Sequence, residues 1–194
     1  MRRTGVVAVV GAVAAMAGLL AAVWWQAAGP RGAAAAAPAP GGGAWRVPIG
    51  PGRALVLDVP QGWRVTVRRP VAGPPTVLIG PSEGDAFRFL VTPLLQGGGA
   101  PLDGARLKGF LHQIGQRVVA RSVEGRLDLE PVPGAAGAWY YRLTDREPGE
   151  GYRHLAQGAR AFDGVVMTFT FLSHVPDPPA LAEALRVVAT ARVE

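Results

Sequence analysis

Residues Gly80 to Gly84 (GPSEG) match G-x-S-x-G, the nucleophile elbow of α/β-hydrolases. In that elbow a sharp turn from a strand into a helix exposes the serine, and an acid and a histidine complete a triad. Asp145 and His154 follow Ser82 in the order that this fold uses. The residues after the motif alternate as a strand does, however, and Pro81 suits the second position of a reverse turn. We therefore favour a hairpin turn and keep a secreted serine hydrolase that uses Ser82 as the alternative.

Residue types that bind metals are present, but their arrangement is unfavourable. The pattern of the chain places His154 and His174 on opposite faces of a hairpin, so they should not share a metal ion. His112 is predicted to lie on the surface of a helix. The loop 145–150 (DREPGE) lacks the ligand spacing of an EF-hand calcium site and is predicted to be a solvated hairpin tip. We expect no metal and no other cofactor.

An arginine row forms the first candidate binding site. Arg64, Thr66 and Arg68 alternate along one predicted strand, with Arg69 beside them and Trp63 at the preceding turn. Alternate residues share one face of a strand, and such a row can bind an anionic polymer or lipid head groups. The alternative is an ordinary polar strand edge. Arg64 and Arg68 are therefore candidate binding residues.

The densest aromatic cluster of the domain supplies the second candidate site. Alternation sends Tyr140 and Arg142 to one face of a strand and Trp139, Tyr141 and Leu143 to the other. Core packing accounts for most of this cluster. Tyrosine and arginine are nevertheless enriched at protein interfaces, so Tyr140 and Arg142 are the remaining candidate binding residues.

Length and composition restrict the possible functions. Of the 194 residues, the first forty or so have the composition of a targeting segment and tether, which leaves about 150 for one domain. The absence of cysteine excludes disulfides, thiolate metal sites and thiol catalysis. The net charge is +6, but 19 of the 20 basic residues are arginine, and 27 glycines and 18 prolines accompany them. This bias indicates GC-rich codon usage, so we expect no nucleic-acid partner.

The amino terminus has the features of an export signal. Arg2 and Arg3 precede 21 uncharged residues from Gly5 to Trp25. Cleaved signal peptides have apolar regions of about 7 to 15 residues, whereas crossing a bilayer takes about 20. Residues 1–25 are therefore predicted to be a signal anchor, with a cleaved signal peptide as the alternative. The two arginines place the carboxyl-terminal domain outside the cytoplasm. The chain is thus predicted to be a single-pass protein of the cytoplasmic membrane. If the signal peptide is cleaved, the domain would be secreted or periplasmic.

Residues 26–44 (QAAGPRGAAAAAPAPGGGA) show no apolar periodicity and are predicted to form a tether. Such a segment has a root-mean-square reach of roughly 25 Å if it is flexible. Residues 45–194 then form the globular domain.

Within the domain, hydrophobic periodicity predicts strands, a helix, further strands and a closing helix. The helices span Asp103–Arg121, with Asp103 as the cap, and about Pro179–Ala189. The strands span Ala54–Val59, Arg64–Arg68, Thr76–Gly80, Phe87–Thr92, Ala138–Leu143, Tyr152–Phe162 and Val165–His174. This order suits an antiparallel sheet with helices packed on it.

The pair Asp163-Gly164 is the strongest hairpin signal, because a two-residue type I′ turn needs positive φ at both positions. The turn sets a register in which Phe162 opposes Val165 and Gly158 opposes Phe169. Both faces of this hairpin are largely apolar, whereas a sheet with one wet face alternates cleanly. We therefore predict an α+β fold in which helices flank both faces of the antiparallel sheet, an α/β/α sandwich.

Three features resemble the PsbP-like family, which includes exported bacterial proteins of the DcrB type. They are the turn 59–63 (VPQGW), the hairpin 157–172 (QGARAFDGVVMTFTFL), and a closing helix with Leu181, Leu185 and Val188 on one face. The resemblance covers residues 45–194 and is structural, since no binding residue of the family can be matched to this chain. It implies a non-enzymatic accessory or docking module.

The sequence as a whole therefore predicts a non-enzymatic, extracytoplasmic and membrane-tethered domain of the bacterial envelope. Its expected role is to bind another envelope protein or a small ligand.

Overall fold

The computed structural model describes residues 34–35, 39–40, 42–70, 73–96, 102, 104–162 and 164–194. The predicted anchor 1–25 and the predicted turn residue Asp163 lie outside the described residues, as does the cap Asp103. The described helices are α1 (Gly104–Val119) and α2 (Pro179–Thr190). The strands are β1 (Ala34–Ala35), β2 (Ala39–Pro40), β3 (Gly43–Gly50), β4 (Arg53–Val59), β5 (Trp63–Arg69), β6 (Thr76–Pro81), β7 (Phe87–Leu95), β8 (Glu130–Pro131), β9 (Ala138–Thr144), β10 (His154–Phe162), β11 (Val165–Ser173) and β12 (Arg192–Val193).

The strands form two antiparallel sheets. The large sheet has the order β1-β5-β6-β7-β11-β10-β9-β8, and β2 also pairs with β5. The small sheet has the order β12-β4-β3. All seven strands and both helices predicted from the sequence are present, with boundaries that differ by at most three residues.

The predicted α/β/α sandwich is wrong. The chain is 47% strand and 19% helix, and its strands form two antiparallel sheets instead of one sheet between two helical layers. On one face, α1 packs against β9 and β10 and buries Leu107 and Leu111 in a core with Tyr141. On the other face, the small sheet and α2 share a second core with the large sheet, to which β4 contributes Leu55 and Leu57. The expectation of two covered faces assumed helices as the cover, whereas a second sheet supplies much of it.

The α/β/α sandwich was predicted because β3 was not recognised as a strand in the sequence. Trp45, Val47 and Ile49 alternate as strand residues should, and all three point into the core that the small sheet shares with the large one. Pro48 and the flanking glycines hid this pattern, because both residue types are rare inside strands. Two further short strands, β1 and β2, lie within the predicted tether and pair with β5.

The predicted hairpin register is confirmed. Phe162 pairs with Val165, and Gly158 pairs with Phe169. Gly164 has φ +68°, the left-handed conformation that the turn requires. Both faces of the hairpin are buried, since Phe169 on one face is 2% exposed and Leu172 on the other is 7% exposed.

Gly158 has no room for a side chain. A Cβ atom at this position would lie 2.4 Å from the ring of Phe169, 2.4 Å from the carbonyl oxygen of Trp139 and 2.6 Å from Cβ of Tyr140. Because one of these atoms belongs to the backbone of the adjacent strand β9, a side-chain rotation cannot relieve the contact. Glycine is therefore sterically required at position 158, opposite Phe169.

We expect Gly158→Ala to lower the free energy of unfolding by at least about 1–3 kcal/mol, the usual cost of overpacking a core. Gly109→Ala is the matched control. Gly109 is exposed in α1 with nothing within 4 Å of a Cβ, so this variant should gain up to about 1 kcal/mol of helix propensity. Urea unfolding of the full chain, followed by tryptophan fluorescence, measures both. Equal stability of Gly158→Ala and the unaltered chain would show that the close packing is not present.

Candidate functional site

One face of the large sheet is left open over three strands. Because α1 packs mainly on β9 and β10, its core reaches only the Leu90 and Leu94 positions of β7, and among the described residues no helix core includes this side of β5 and β6. We call this surface the arginine face. Its side chains are exposed or half-buried, and they are Arg64, Thr66, Arg68, Thr76, Leu78, Arg88, Leu90 and Thr92.

Alternation along the strands creates this surface. Val65 on β5 and Ile79 on β6 point the other way, into the core beneath the small sheet. The register places Thr66 beside Leu78, and Leu78 beside Leu90. The hydroxyls of Thr76 and Thr92 lie 3.0 Å apart and hydrogen-bond to each other. The surface is thus a flat patch of threonine and leucine with arginine on its two outer strands.

The arginines of this face differ in their partners. Arg88 forms an ion pair with Asp85, at 3.3 Å from Nε to Oδ1. Arg64 instead donates to the backbone carbonyl of Ser82, an uncharged acceptor. Neither Arg64 nor Arg68 forms an ion pair with any residue that the structure describes. The two arginines predicted from the sequence therefore keep their positive charge uncompensated on one face.

Trp63 does not join the arginine face. Its ring packs against Phe87, with centroids 4.8 Å apart, on the opposite side of the sheet. The sequence pattern placed this tryptophan near the arginines because it precedes them directly. Alternation from the first residue of β5 sends its side chain the other way.

The segment around Ser82 forms the turn between β6 and β7. The residues that follow are strand, Phe87–Leu95, where a nucleophile elbow needs a helix. Ser82 is exposed, and its backbone N–H donates to the carbonyl of Gly62 at 3.1 Å. His154 lies on β10, which is three strands from β6 and therefore about 14 Å away. The surroundings of Ser82 thus lack the triad geometry that the alternative function needs.

A polar cluster at the border of the arginine face was not predicted from the sequence. Tyr152 donates its hydroxyl to Asp85, and its ring lies 5.5 Å from the guanidinium carbon of Arg88. The ring of His174 lies 4.5 Å from that of Tyr152. Burial raises the pKa of Tyr152, and its hydrogen bond to Asp85 adds to the shift. The cluster joins segments far apart in the chain, so no local spacing could reveal it.

Tyr140 is not available for contacts. It is 6% exposed, it belongs to the core beneath the small sheet, and its hydroxyl donates to Glu130 at 3.3 Å. Burial raises its pKa, and the charge of Glu130 acts in the same direction. Alternation assigned Tyr140 to the correct face, but the small sheet that helps to bury this face was not foreseen.

Arg142 shares that face and lies in an ion-pair network. Its guanidinium donates to Glu130 at 2.9 Å and to Asp177 at 2.7 Å. The hydrogen bonds to Asp177 and Glu130 raise its pKa further. Arg142 therefore connects β8 to the loop before α2.

A groove of about 290 Å³ surrounds this network, and four carboxylates and two arginines contribute to its lining. Glu130 and Asp177 bind Arg142, and Asp128 lies 2.8 Å from Arg126. Burial raises the pKa of Glu124, but hydrogen bonds, first from the backbone of Thr144, outweigh it and lower the pKa overall. Three of the four carboxylates are already ion-paired, so the groove is better explained as a structural network than as a ligand site.

The metal-binding residue types remain apart. His154 lines the groove while His174 stacks on Tyr152 across the sheet, and His112 is exposed on α1. Asp145 is buried and accepts a hydrogen bond from the backbone N–H of Glu147 at 3.0 Å. In the described part of the chain, no group of three or more histidines and carboxylates could hold a metal ion.

No helix among the described residues is long and apolar enough to cross a membrane. In comparisons with family models, with curated proteins and with solved structures, nothing matches this chain. The resemblance to the PsbP-like family therefore stays a prediction.

His154 lines the groove, and its shifted pKa predicts how the stability of the chain depends on pH. Burial lowers this pKa, and the charge of Arg153 lowers it further, so the unfolded chain binds a proton more readily than the folded one. Stability should therefore decrease as pH falls below about 6.5, the ordinary value for histidine. We expect His154→Gln to show a smaller decrease between pH 7 and 5 in urea unfolding. His112→Gln, which removes an exposed histidine of α1, is the control, and identical pH profiles for the two variants would contradict the assignment.

Proposed function

We propose that this chain is a non-enzymatic binding domain of the bacterial envelope, anchored by residues 1–25, and that it binds another envelope component through the arginine face. The observation that carries the proposal is the uncompensated charge of Arg64 and Arg68 on an open sheet face. The cores on either side of β10 and β11 are closed, so this face is an exception within the domain.

The chemistry of the face supports binding rather than turnover. Guanidinium groups contact carboxylates and phosphates through paired N–H donors, and arginine is enriched at interfaces. The face offers threonine hydroxyls, leucines and arginines, but it brings together no nucleophile with a general base. The strand after Ser82 argues in the same direction, because it removes the context for a nucleophile elbow.

The proposal requires that the full chain fractionates with membranes and resists carbonate extraction. Because Arg2 and Arg3 precede the 21-residue apolar span, protease added to spheroplasts should digest the domain. The cytoplasmic contents should stay protected in the same sample. A soluble product that begins between Ala34 and Ala39 would refute the anchor.

Crosslinking in intact cells tests the binding face. We expect a crosslinked envelope component with the full chain and its loss in the double variant Arg64→Gln, Arg68→Gln. The matched control is Arg46→Gln, Arg186→Gln, which removes the same charge from exposed ion-paired arginines on β3 and α2. This control should keep the crosslink.

Turnover is tested with purified protein. The purified chain and a Ser82→Ala variant should both be inactive on generic ester and phosphate substrates. Activity that disappears only in Ser82→Ala would refute the binding function and favour the hydrolase.

In the crosslinking experiment, equal loss of the crosslink in the Arg64→Gln, Arg68→Gln variant and in the Arg46→Gln, Arg186→Gln control would refute the arginine face as the binding surface.

A further inference from the structure

Strands β1 and β2 reduce the expected distance between the domain and the membrane. Ala34 and Ala35 pair with Arg69 and Arg68 through β1, and β2 pairs Ala39 with Val65. The chain therefore reaches the domain along the outer edge of β5, the strand that carries the arginine row. It first meets the domain at the Arg68 end of that strand.

This pairing shortens the tether. Only residues 26–33 separate Trp25, the end of the apolar span, from Ala34. Nine peptide steps span at most about 30 Å when fully extended. The predicted tether of 19 residues allowed about twice that distance. Arg68 and Arg69 are consequently confined to the neighbourhood of the membrane surface.

The charge of the arginine face suits an anionic surface. Arg64, Arg68 and Arg88 lie on the face and Arg69 lies at the strand end, while Glu83 and Asp85 in one turn oppose them. Asp85 is engaged by Arg88, and both acids are at the end of the face away from Arg68. The membrane-proximal end is thus the positive end.

The side chains of this face also favour lipid over protein. None of the side chains that β5, β6 and β7 present here is aromatic, since Trp63 and Phe87 point to the other side. Protein hot spots are enriched in tryptophan, tyrosine and arginine, and of these three types β5, β6 and β7 present arginine here. Short threonines between arginines instead leave the guanidinium groups accessible to phosphate oxygens.

We propose that the arginine face docks on the anionic phospholipid head groups of the membrane in which the chain is anchored, with Arg64 and Arg68 contacting lipid phosphates. This inference rests on the proposed function and names the component that the face binds. Docking turns the side of the large sheet that carries the arginine face and α1 toward the bilayer, with α2 and the small sheet directed away from it.

The absence of cysteine allows a direct measurement. The full chain carrying Thr66→Cys is labelled with a fluorophore and reconstituted into vesicles of phosphatidylcholine, with or without phosphatidylglycerol. Lipids with a head-group spin label then report proximity by quenching. Ala182→Cys, exposed on α2, is the control position.

We expect strong quenching at position 66 only in vesicles that contain phosphatidylglycerol, and weak quenching at position 182 in both. Arg64→Gln, Arg68→Gln should reduce the ratio of docked to free domain about 25-fold, at about fivefold per arginine. Salt at about 1 M, where the Debye length is about 3 Å, should have the same effect without any substitution.

Equal quenching at position 66 in neutral and anionic vesicles would overturn the lipid inference. If an arginine-dependent crosslink to an envelope protein persists in that case, the proposed function stands and its partner is a protein. Loss of both the crosslink and the lipid dependence overturns the two proposals together. Quenching that salt and the double variant leave unchanged also overturns the lipid inference, because it would not be electrostatic.

Discussion

The fold depends on the close approach of β9, β10 and β11 at Gly158. With no Cβ there, the ring of Phe169 and the backbone of Trp139 pack directly against the strand. Strand β11 lies between β7 and β10, and all nine of its residues are buried because cores form on both sides of the hairpin. Strand β10 also holds α2, because its Arg160 donates to the carbonyls of Val188, Ala189 and Ala191. A guanidinium at this helix end satisfies carbonyls that have no partner within the helix.

The open face follows from the size of the sheet. Eight strands spaced about 4.8 Å apart span more than 30 Å, whereas a helix with its side chains is about 10 Å wide and covers about two strands. The single helix α1 therefore cannot cover its side of the sheet. On the opposite side, the small sheet and α2 share this task. Where no cover exists, the outward positions of β5, β6 and β7 hold arginine and threonine beside the half-buried Leu78 and Leu90, so the gap does not expose a large apolar surface.

Local patterns predicted the elements, while the arrangement of the elements required information that is not local. The spacing of Leu107, Leu111 and Ile114 defined α1, and the Asp163-Gly164 turn fixed the register of β10 and β11. Alternation also placed Arg64 and Arg68 on a common face. The small sheet was not predicted, because β3 contains Pro48 and begins in the glycine- and alanine-rich segment that was predicted to be a tether. Without the small sheet, Tyr140 was expected to be available for contacts. The groove could not be predicted, since Glu124, Arg142 and Asp177 meet only in the folded chain.

The two charged regions of the domain differ in a way that stability alone does not explain. Around Arg142, carboxylates and guanidinium groups are matched, as expected where charges organise loops. On β5, Arg64 and Arg68 form no ion pair with a residue that the structure describes. Four residues along a strand separate these two by about 13 Å, which exceeds the Debye length of about 8 Å at physiological ionic strength. Their mutual repulsion is therefore screened, so the fold tolerates both charges. At this separation the two guanidinium groups can contact two anionic groups independently, and binding should lose strength stepwise as each is removed.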